Sequence, residues 1–379
     1  MRLRLAVLLV GAVSGSASVV FGQQPNWTID PTPRVELGTS IDDPRDQFGR
    51  IVDVAFGPRG EIVVLDGTPP AVRRFAADGS PLRDFGRAGD GPGEFRAPVA
   101  LAVVGDTIVV LGGDGRRGVF GPGGAVARDE RLEMASVCGA AWNPRAGGLL
   151  TDGSVVVRCL ERLFGRVRGE YRQTVGLLRV APGLARVDTL GWFPADTGRT
   201  DDGDPPIPRP YAPRAELLAV DGDGRVFVAT SDRPTVRAVR FDGSAIEPFE
   251  LPVDSRPVTE ADLARHVESM LRVGGSANDQ RVIREWAEEM PSAERTPVIR
   301  SLVAAASGEL WVETWDDDAE GVRWLVVGGD GTLLSEVRAP PGADIRAVSD
   351  DAVLAVWRDA FGVERVRLYP LLRSRRSGG

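Results

Sequence analysis

The chain has 379 residues with 26% charged and 42% hydrophobic side chains, 46 glycines and 28 prolines, the profile of a folded, turn-rich protein and not of a helical bundle. A net charge of −8 disfavours nucleic acid as a partner. All 46 basic residues are arginine, so neither a P-loop lysine nor a lysine Schiff base has a candidate, and the single histidine, His266, rules out multi-histidine metal sites.

Taken in chain order, the first element is a secretory leader. Arg2 and Arg4 precede an apolar run over residues 5–13, and small residues lead to a cleavage point between Gly22 and Gln23. Residues 1–22 are therefore read as a signal peptide, with no cysteine behind the apolar run to anchor a lipid and no further membrane span expected. The mature chain then contains six copies of one pattern, a turn followed by a β-rich apolar run: GPRGEIVVLDG, VVGDTIVVLGG, LLTDGSVVVRC, VDGDGRVFVAT, AASGELWVETW and VSDDAVLAVWR. The shorter intervals match the roughly 40–50 residues of a four-stranded propeller blade.

Each of the first five copies is followed by a second hairpin with its own turn, such as VRRFAADGSPLRDFG, RGVFGPGGAVARDERL and RWLVVGGDGTLLSEV. Glycine at these turns permits the positive φ of tight hairpins. The sixth copy ends in ERVRLYPLL with no outer strand. RVELGTS near the start supplies one, so residues 34–38 are expected to close the ring by pairing with the C-terminal strand.

Two intervals are overlong. One carries PADTGRTDDGDPPIPRPYAPR, read as a surface loop. The other carries residues 258–291, a helical insertion between blades 4 and 5. There Thr259 and Asp262 form a capping pair, Leu263, Val267, Met270 and Leu271 share a stripe, and Val282, Ile283, Trp286 and Met290 continue a second stripe.

The pattern resembles the bacterial six-bladed β-propellers related to NHL repeats over nearly the whole mature chain. Its most specific phrase is GDGPGEF with the proline of RAP, Gly89 to Pro98, which in such propellers links the outer strand of one blade to the inner strand of the next. The resemblance implies an all-β fold of one domain over residues 23–372; the arginine-rich end is expected to be a disordered tail over 373–379. It makes Phe95 a wedge between blades and the glycines turn residues; it implies no catalytic set, because such propellers host enzymes, receptors and scaffolds alike.

Cys138 precedes the inner strand of the third blade and Cys159 ends its second strand, so a disulfide between them is expected in an exported protein. Loops that join successive blades share one face with those that join the second and third strands. Both insertions therefore fall on that face. Arg209, Tyr211 and Arg214 in RPYAPR, His266 on the first helix, and Trp315 in a loop before Asp316, Asp317, Asp318 and Glu320 are the candidate ligand contacts. No metal site or cofactor is expected: Asp221 to Gly224 lacks the later acidic ligand of a calcium loop and sits at a hairpin turn.

The leading expectation is an exported, monomeric, non-catalytic propeller binding a protein, peptide or glycan through the insertion-bearing face. Two alternatives stand beside it. One is a calcium-dependent hydrolase or lactonase, which would need inward-facing Asp, Asn or Glu from several blades. The other is a structural scaffold.

Overall fold

The computed structural model describes residues 27–40, 42–162, 169–184, 186–200, 207–208, 217–221, 224–273, 280–281, 283–285, 293–318, 321–359 and 361–373. The signal peptide, the tail beyond residue 373, and Arg209, Tyr211 and Arg214 lie outside these residues.

Six antiparallel sheets follow one another along the chain and form the six blades of a β-propeller. The innermost strands are Ile51–Phe56, Pro98–Val104, Trp142–Leu149, Leu217–Val220, Ile299–Ala304 and Ala343–Val348. Those of blades 1 and 2, 2 and 3, 4 and 5, 5 and 6, and finally 6 and 1 approach each other around the axis. The ring is closed by the chain ends. Trp27–Ile29 and Val35–Leu37 both pair with Glu364–Arg373, with Trp27 opposite Arg373 and Val35 opposite Leu368, which supplies the outer edge that the sixth repeat lacks.

The six repeats were conspicuous because they are the second strands. In Ile62–Gly67 every residue except the terminal glycine is buried. Ile62 and Val64 pack against Leu354 and Val356 of blade 6, while Val63 and Leu65 pack against Ile108 and Val110 of blade 2. A strand covered on both faces reads as an unbroken apolar run and not as an alternating one. In blade 3, Val155 and Val157 likewise face blade 2 while Val156 faces blade 4. Each such side chain contributes about 1.5–3 kcal/mol by leaving water.

The GDGPGEF phrase is a turn and wedge. Gly91 N–H donates to Glu94 Oε2 at 2.7 Å, and Arg116 Nη2 donates to the Gly91 carbonyl at 2.7 Å. Phe95 is buried edge-on to Phe120, with ring centroids 5.6 Å apart. A Cβ at Gly86, where φ is +82°, would lie 2.2 Å from the Phe95 ring, so the glycine is required both by conformation and by space.

Cys138 and Cys159 form a disulfide with Cα atoms 5.4 Å apart. It ties the short helix Met134–Cys138, at the entry to blade 3, to the second strand of that blade.

Three segments differ from the sequence reading. Residues 194–200, read as loop, continue the outer strand of blade 3 and pair with Gly169–Thr174, so this blade carries an extended ribbon. Arg172 of the ribbon reaches Asp232 of blade 4 at 3.3 Å. Trp315 lies within a strand, Leu310–Asp318, because pairing of Asp317 and Asp318 with Val322 and Gly321 carries the hairpin to its tip. Arg373, assigned to the tail, ends the last strand: it pairs with Trp27, stacks on its ring at 4.3 Å and donates to Glu309 Oε1 at 2.8 Å.

Between blades 4 and 5 the helix Glu260–Val273 is present, and residues 280–281 and 283–285 are helical. The remainder of the second predicted stripe, including Trp286 and Met290, is outside the described residues. Among the described residues no helix is long and apolar enough to cross a membrane.

Candidate functional site

Two neighbouring features of the insertion-bearing face are built in detail: the axial mouth and the base of the insertion. At the axis, five of the six innermost strands carry a β-bulge against their second strand. The extra residues are Val52, Val99, Gly147, Arg300 and Arg346. A bulge bends the strand and re-aims the side chain it carries. On blades 1 and 2 the bulged residues are valines, and on blades 5 and 6 they are arginines.

On blade 5, Arg300 Nη1 donates to Glu313 Oε1 at 3.3 Å and Ser301 Oγ donates to Glu313 Oε2 at 2.6 Å. The Arg300 guanidinium lies 4.6 Å from the centre of the Trp315 ring, and Trp315 Nε1 donates to the Ile299 carbonyl at 3.1 Å. On blade 6, Arg346 Nη2 donates to Asp344 Oδ2 at 2.6 Å. On blade 1, Asp53 accepts from the backbone N–H of Val54 and of Leu101, both at 2.9 Å, and so stitches blade 1 to blade 2.

Burial raises the Asp53 carboxyl to about 6, against the opposing pull of the Leu101 N–H and then of the Arg346 charge. The side chain is only partly exposed to solvent. Glu313 is also raised, first by burial, and the neighbouring Asp344 charge adds to this while Ser301 and Arg300 oppose it. Perturbed carboxyls of this kind gather at functional sites.

The insertion is fixed at its base. Asp262 accepts from Arg256 Nη1 and Nη2 at 2.6 and 2.9 Å, from Thr259 N–H at 2.9 Å and Thr259 Oγ1 at 2.7 Å, and from Arg265. The Arg256 hydrogen bonds lead in holding this carboxyl far below the usual range. Thr259 also receives the Asp262 N–H, so the predicted capping pair forms a reciprocal start to the helix. The two ends of the insertion are paired: Val258 N–H donates to the Glu294 carbonyl at 3.1 Å and Thr296 N–H to the Arg256 carbonyl at 2.8 Å.

Of the predicted contact residues, His266 lies partly buried on the helix, and Trp315 lies beside Arg300 at the first residues of the inner strand of blade 5. The axial charges Asp53, Arg300, Glu313, Asp344 and Arg346 were not among the sequence candidates. For all but Glu313, which stands on the strand Leu310–Asp318, the signal was the polar interruption of IVDVAF, IRSLVA and ADIRAV, strands that would otherwise read as buried. Asp221 forms a hairpin turn, accepting from Arg225 N–H at 2.9 Å and from Arg225 Nε at 2.5 Å. Among the described residues no group of three or more His, Cys, Asp or Glu side chains is placed to hold a metal.

A groove of about 420 Å³ lies elsewhere, on the rim between the N-terminal strand and the outer turn of blade 1. Its arginines are engaged locally, Arg45 with Asp43 at 2.9 Å and Arg34 with Asp351 at 3.7 Å. The axial mouth, with its perturbed carboxyls and re-aimed arginines, is the better candidate.

No protein-family model matches the chain, and no curated protein sequence matches it. Solved structures do. A member of the DUF4221 family from Bacteroides vulgatus has 8% identity and a TM-score of 0.51, covering 93% of this chain and 100% of its own. A putative exported protein from Bacteroides fragilis has 11% identity and a TM-score of 0.47, covering 93% and 96%. A streptogramin B lyase has 12% identity and a TM-score of 0.43, covering 92% and 98%. At such identities the likeness is one of architecture. The chain is a six-bladed β-propeller closed by its N-terminal strands.

Proposed function

We propose that this chain is an exported, non-catalytic, monomeric propeller that captures a protein, peptide or glycan on its insertion-bearing face. The observation that carries the reading is the base of the insertion. A buried carboxylate, Asp262, gathers Arg256, Thr259 and Arg265 around the first turn of the helix and holds it as a fixed platform between blades 4 and 5. Arg300 and Trp315 stand on the next strands, so charge and aromatic area adjoin the platform. Recognition commonly resides in loops elaborated on a rigid scaffold. Export is supported by the leader pattern of residues 1–22 and by the disulfide, a bond that persists in oxidising compartments.

The test replaces residues 259–293 with a short Gly-Ser linker, leaving the paired ends Val258–Glu294 and Arg256–Thr296 to close the gap. Immobilised peptide and oligosaccharide arrays are probed with the full chain and with the deletion. Loss of binding with the melting temperature and the disulfide retained is the expected result. Undiminished binding by the deletion overturns the reading. His266→Ala alone should leave binding within about two-fold, since a partly buried helix histidine supplies little contact area.

The alternative, a calcium-dependent hydrolase or lactonase, takes its support from Asp53, an axial carboxyl raised to about 6. Stoichiometric calcium retained through dialysis, together with turnover of esters or lactones, would establish it over the binding reading.

A further inference from the structure

We infer that the Cys138–Cys159 bond is a redox latch on the insertion-bearing face: a dithiol reductant opens it and frees residues 133–141 as a flap while the blades stay folded. The inference stands whatever the face captures. The short helix Met134–Cys138 lies in the connection from blade 2 to blade 3, and both ends of that connection are fixed without it. Leu132 is buried, and its N–H donates to the Gly115 carbonyl at 2.9 Å. Trp142 pairs with Glu161, its carbonyl accepts from Arg162 Nε at 3.0 Å, and its ring packs on Trp192 with centroids 4.6 Å apart.

Between these two points the chain is weakly held. A helix of five residues does not stand alone. It begins without a side-chain cap, and its hydrogen bonds, Ser136 N–H to the Glu133 carbonyl and Gly139 N–H to the Ala135 carbonyl, are local. Among the described residues no side-chain hydrogen bond or ion pair joins residues 133–139 to a blade. Glu133, Ala135 and Ser136 are exposed, and Met134 and Val137 are only partly buried, against a cluster that contains Val157 and Cys159. What remains is the disulfide, which ties the end of the helix to the second strand of blade 3.

The two sulfurs are not equivalent. Cys138 is partly exposed and Cys159 is fully buried, so a thiolate from solvent meets Cys138 first. A new S–S bond forms between the reagent and Cys138 as the Cys138–Cys159 bond breaks, and Cys159 leaves as a thiolate that takes up a proton. A charged thiolate is unfavourable in the apolar cluster around Cys159, so its return to Cys138, which expels the reagent, competes with flap release. A reagent with a second thiol prevents that return: it closes its own disulfide and releases Cys138 as a thiol. The dithiol is oxidised, and the chain gains two electrons and two protons. Once free, the flap swings on Leu132 and Trp142 and bares part of the cluster beneath it.

The test incubates the oxidised full chain with dithiothreitol and, separately, with 2-mercaptoethanol at equal thiol concentration. Alkylation counts the thiols, and amide exchange followed by mass spectrometry locates the change. Dithiothreitol should open the bond without denaturant, and exchange in residues 133–141 should then rise on the order of 100-fold, the scale of chain entropy released by a loop of this length, 21 residues apart in sequence. Exchange in the buried strand Ile62–Gly67 should not change. The monothiol should open the bond about ten-fold more slowly. Cys138→Ser should show the fast exchange with no reductant present and no further response to dithiothreitol; reduction of the wild-type chain reads the same quantity if that variant does not fold. A reduced chain with residues 133–141 still protected overturns the latch, as does exchange that rises in every blade together. A bond that resists dithiothreitol under native conditions, or that both reagents open at the same rate, overturns it as well.

Discussion

Asp262 at the base of the insertion and Asp53 at the axis are aspartates withdrawn from bulk water that respond in opposite directions. Asp262 is surrounded by Arg256, Arg265 and the Thr259 hydroxyl and N–H, and its carboxyl is driven far down. Asp53 has only two backbone N–H donors and a more distant Arg346, and burial wins, raising it to about 6. The difference lies in which influence leads: loss of hydration at Asp53, and the arginine hydrogen bonds at Asp262. A carboxylate given guanidinium partners becomes a fixed anchor, whereas a desolvated one given neutral donors remains poised to change charge near physiological pH.

The most severe way to break this comparison is Asp262→Ala. It leaves Arg256 and Arg265 facing one another without their shared anion and removes the reciprocal cap. The arginines are 47% and 62% exposed, so their charges stay hydrated and the loss is about 2 kcal/mol, below that of a fully buried pair. Faster amide exchange in Glu260–Val273 with the blades still protected is the expected pattern. A depressed carboxyl contributes stability that is present above its unfolded value and lost only as pH falls through the folded one. The penalty of Asp262→Ala should therefore be constant between pH 5 and pH 8. A penalty that fades at pH 5 would mean that the anchor is weaker than its partners imply.

Asp53 should show the opposite sign. Its folded value lies above the unfolded one, so its contribution to stability is full below about 4 and is lost as pH rises through about 6. The full difference would amount to about 3 kcal/mol; the partial exposure of the side chain reduces it to about 1–2 kcal/mol. Denaturant midpoints of wild type should fall between pH 4.5 and pH 7.5, and Asp53→Asn should flatten that fall. Asparagine presents one oxygen to two N–H donors, so the variant also gives up a hydrogen bond to Val54 or Leu101 at every pH. An unchanged slope in Asp53→Asn would show that the carboxyl is solvated in the native state.

How much of this was legible from the chain follows from the same contrast. Second strands such as IVVLDG announced themselves because blades cover both of their faces, and the missing outer strand of the last repeat pointed to RVELGTS. The Thr259–Asp262 cap and the Cys138–Cys159 bond were local enough to be read from spacing and position. The axial charges were not. Asp53, Arg300 and Arg346 become a set only when blades from opposite ends of the sequence meet around the axis, and the bulges that aim the arginines are a matter of register that a single strand does not record. The ribbon at residues 194–200 was missed for a related reason: proline, glycine and aspartate there resemble a loop, yet its partner strand Gly169–Val180 supplies the pairing.

The finest comparison is between the two raised carboxyls themselves. Asp53 owes its shift to burial alone, with every charge nearby pulling the other way. Glu313 owes its shift to burial first, but Asp344 pushes in the same direction while Arg300 and Ser301 resist. Removing the Asp344 charge should therefore separate them. In Asp344→Asn the Glu313 carboxyl should titrate lower than in wild type, because a repulsion is gone. Asp53 should move lower as well, by a different route: Arg346 loses its ionic partner on the same strand, and its positive charge bears more fully on Asp53. Side-chain carboxyl carbon shifts followed by NMR across pH 3 to 8 would read both at once. A Glu313 value that stays fixed while Asp53 falls would place the Asp344 charge wholly on Arg346, and the innermost strands would then hold one coupled pair instead of a connected line of charges from blade 5 to blade 1.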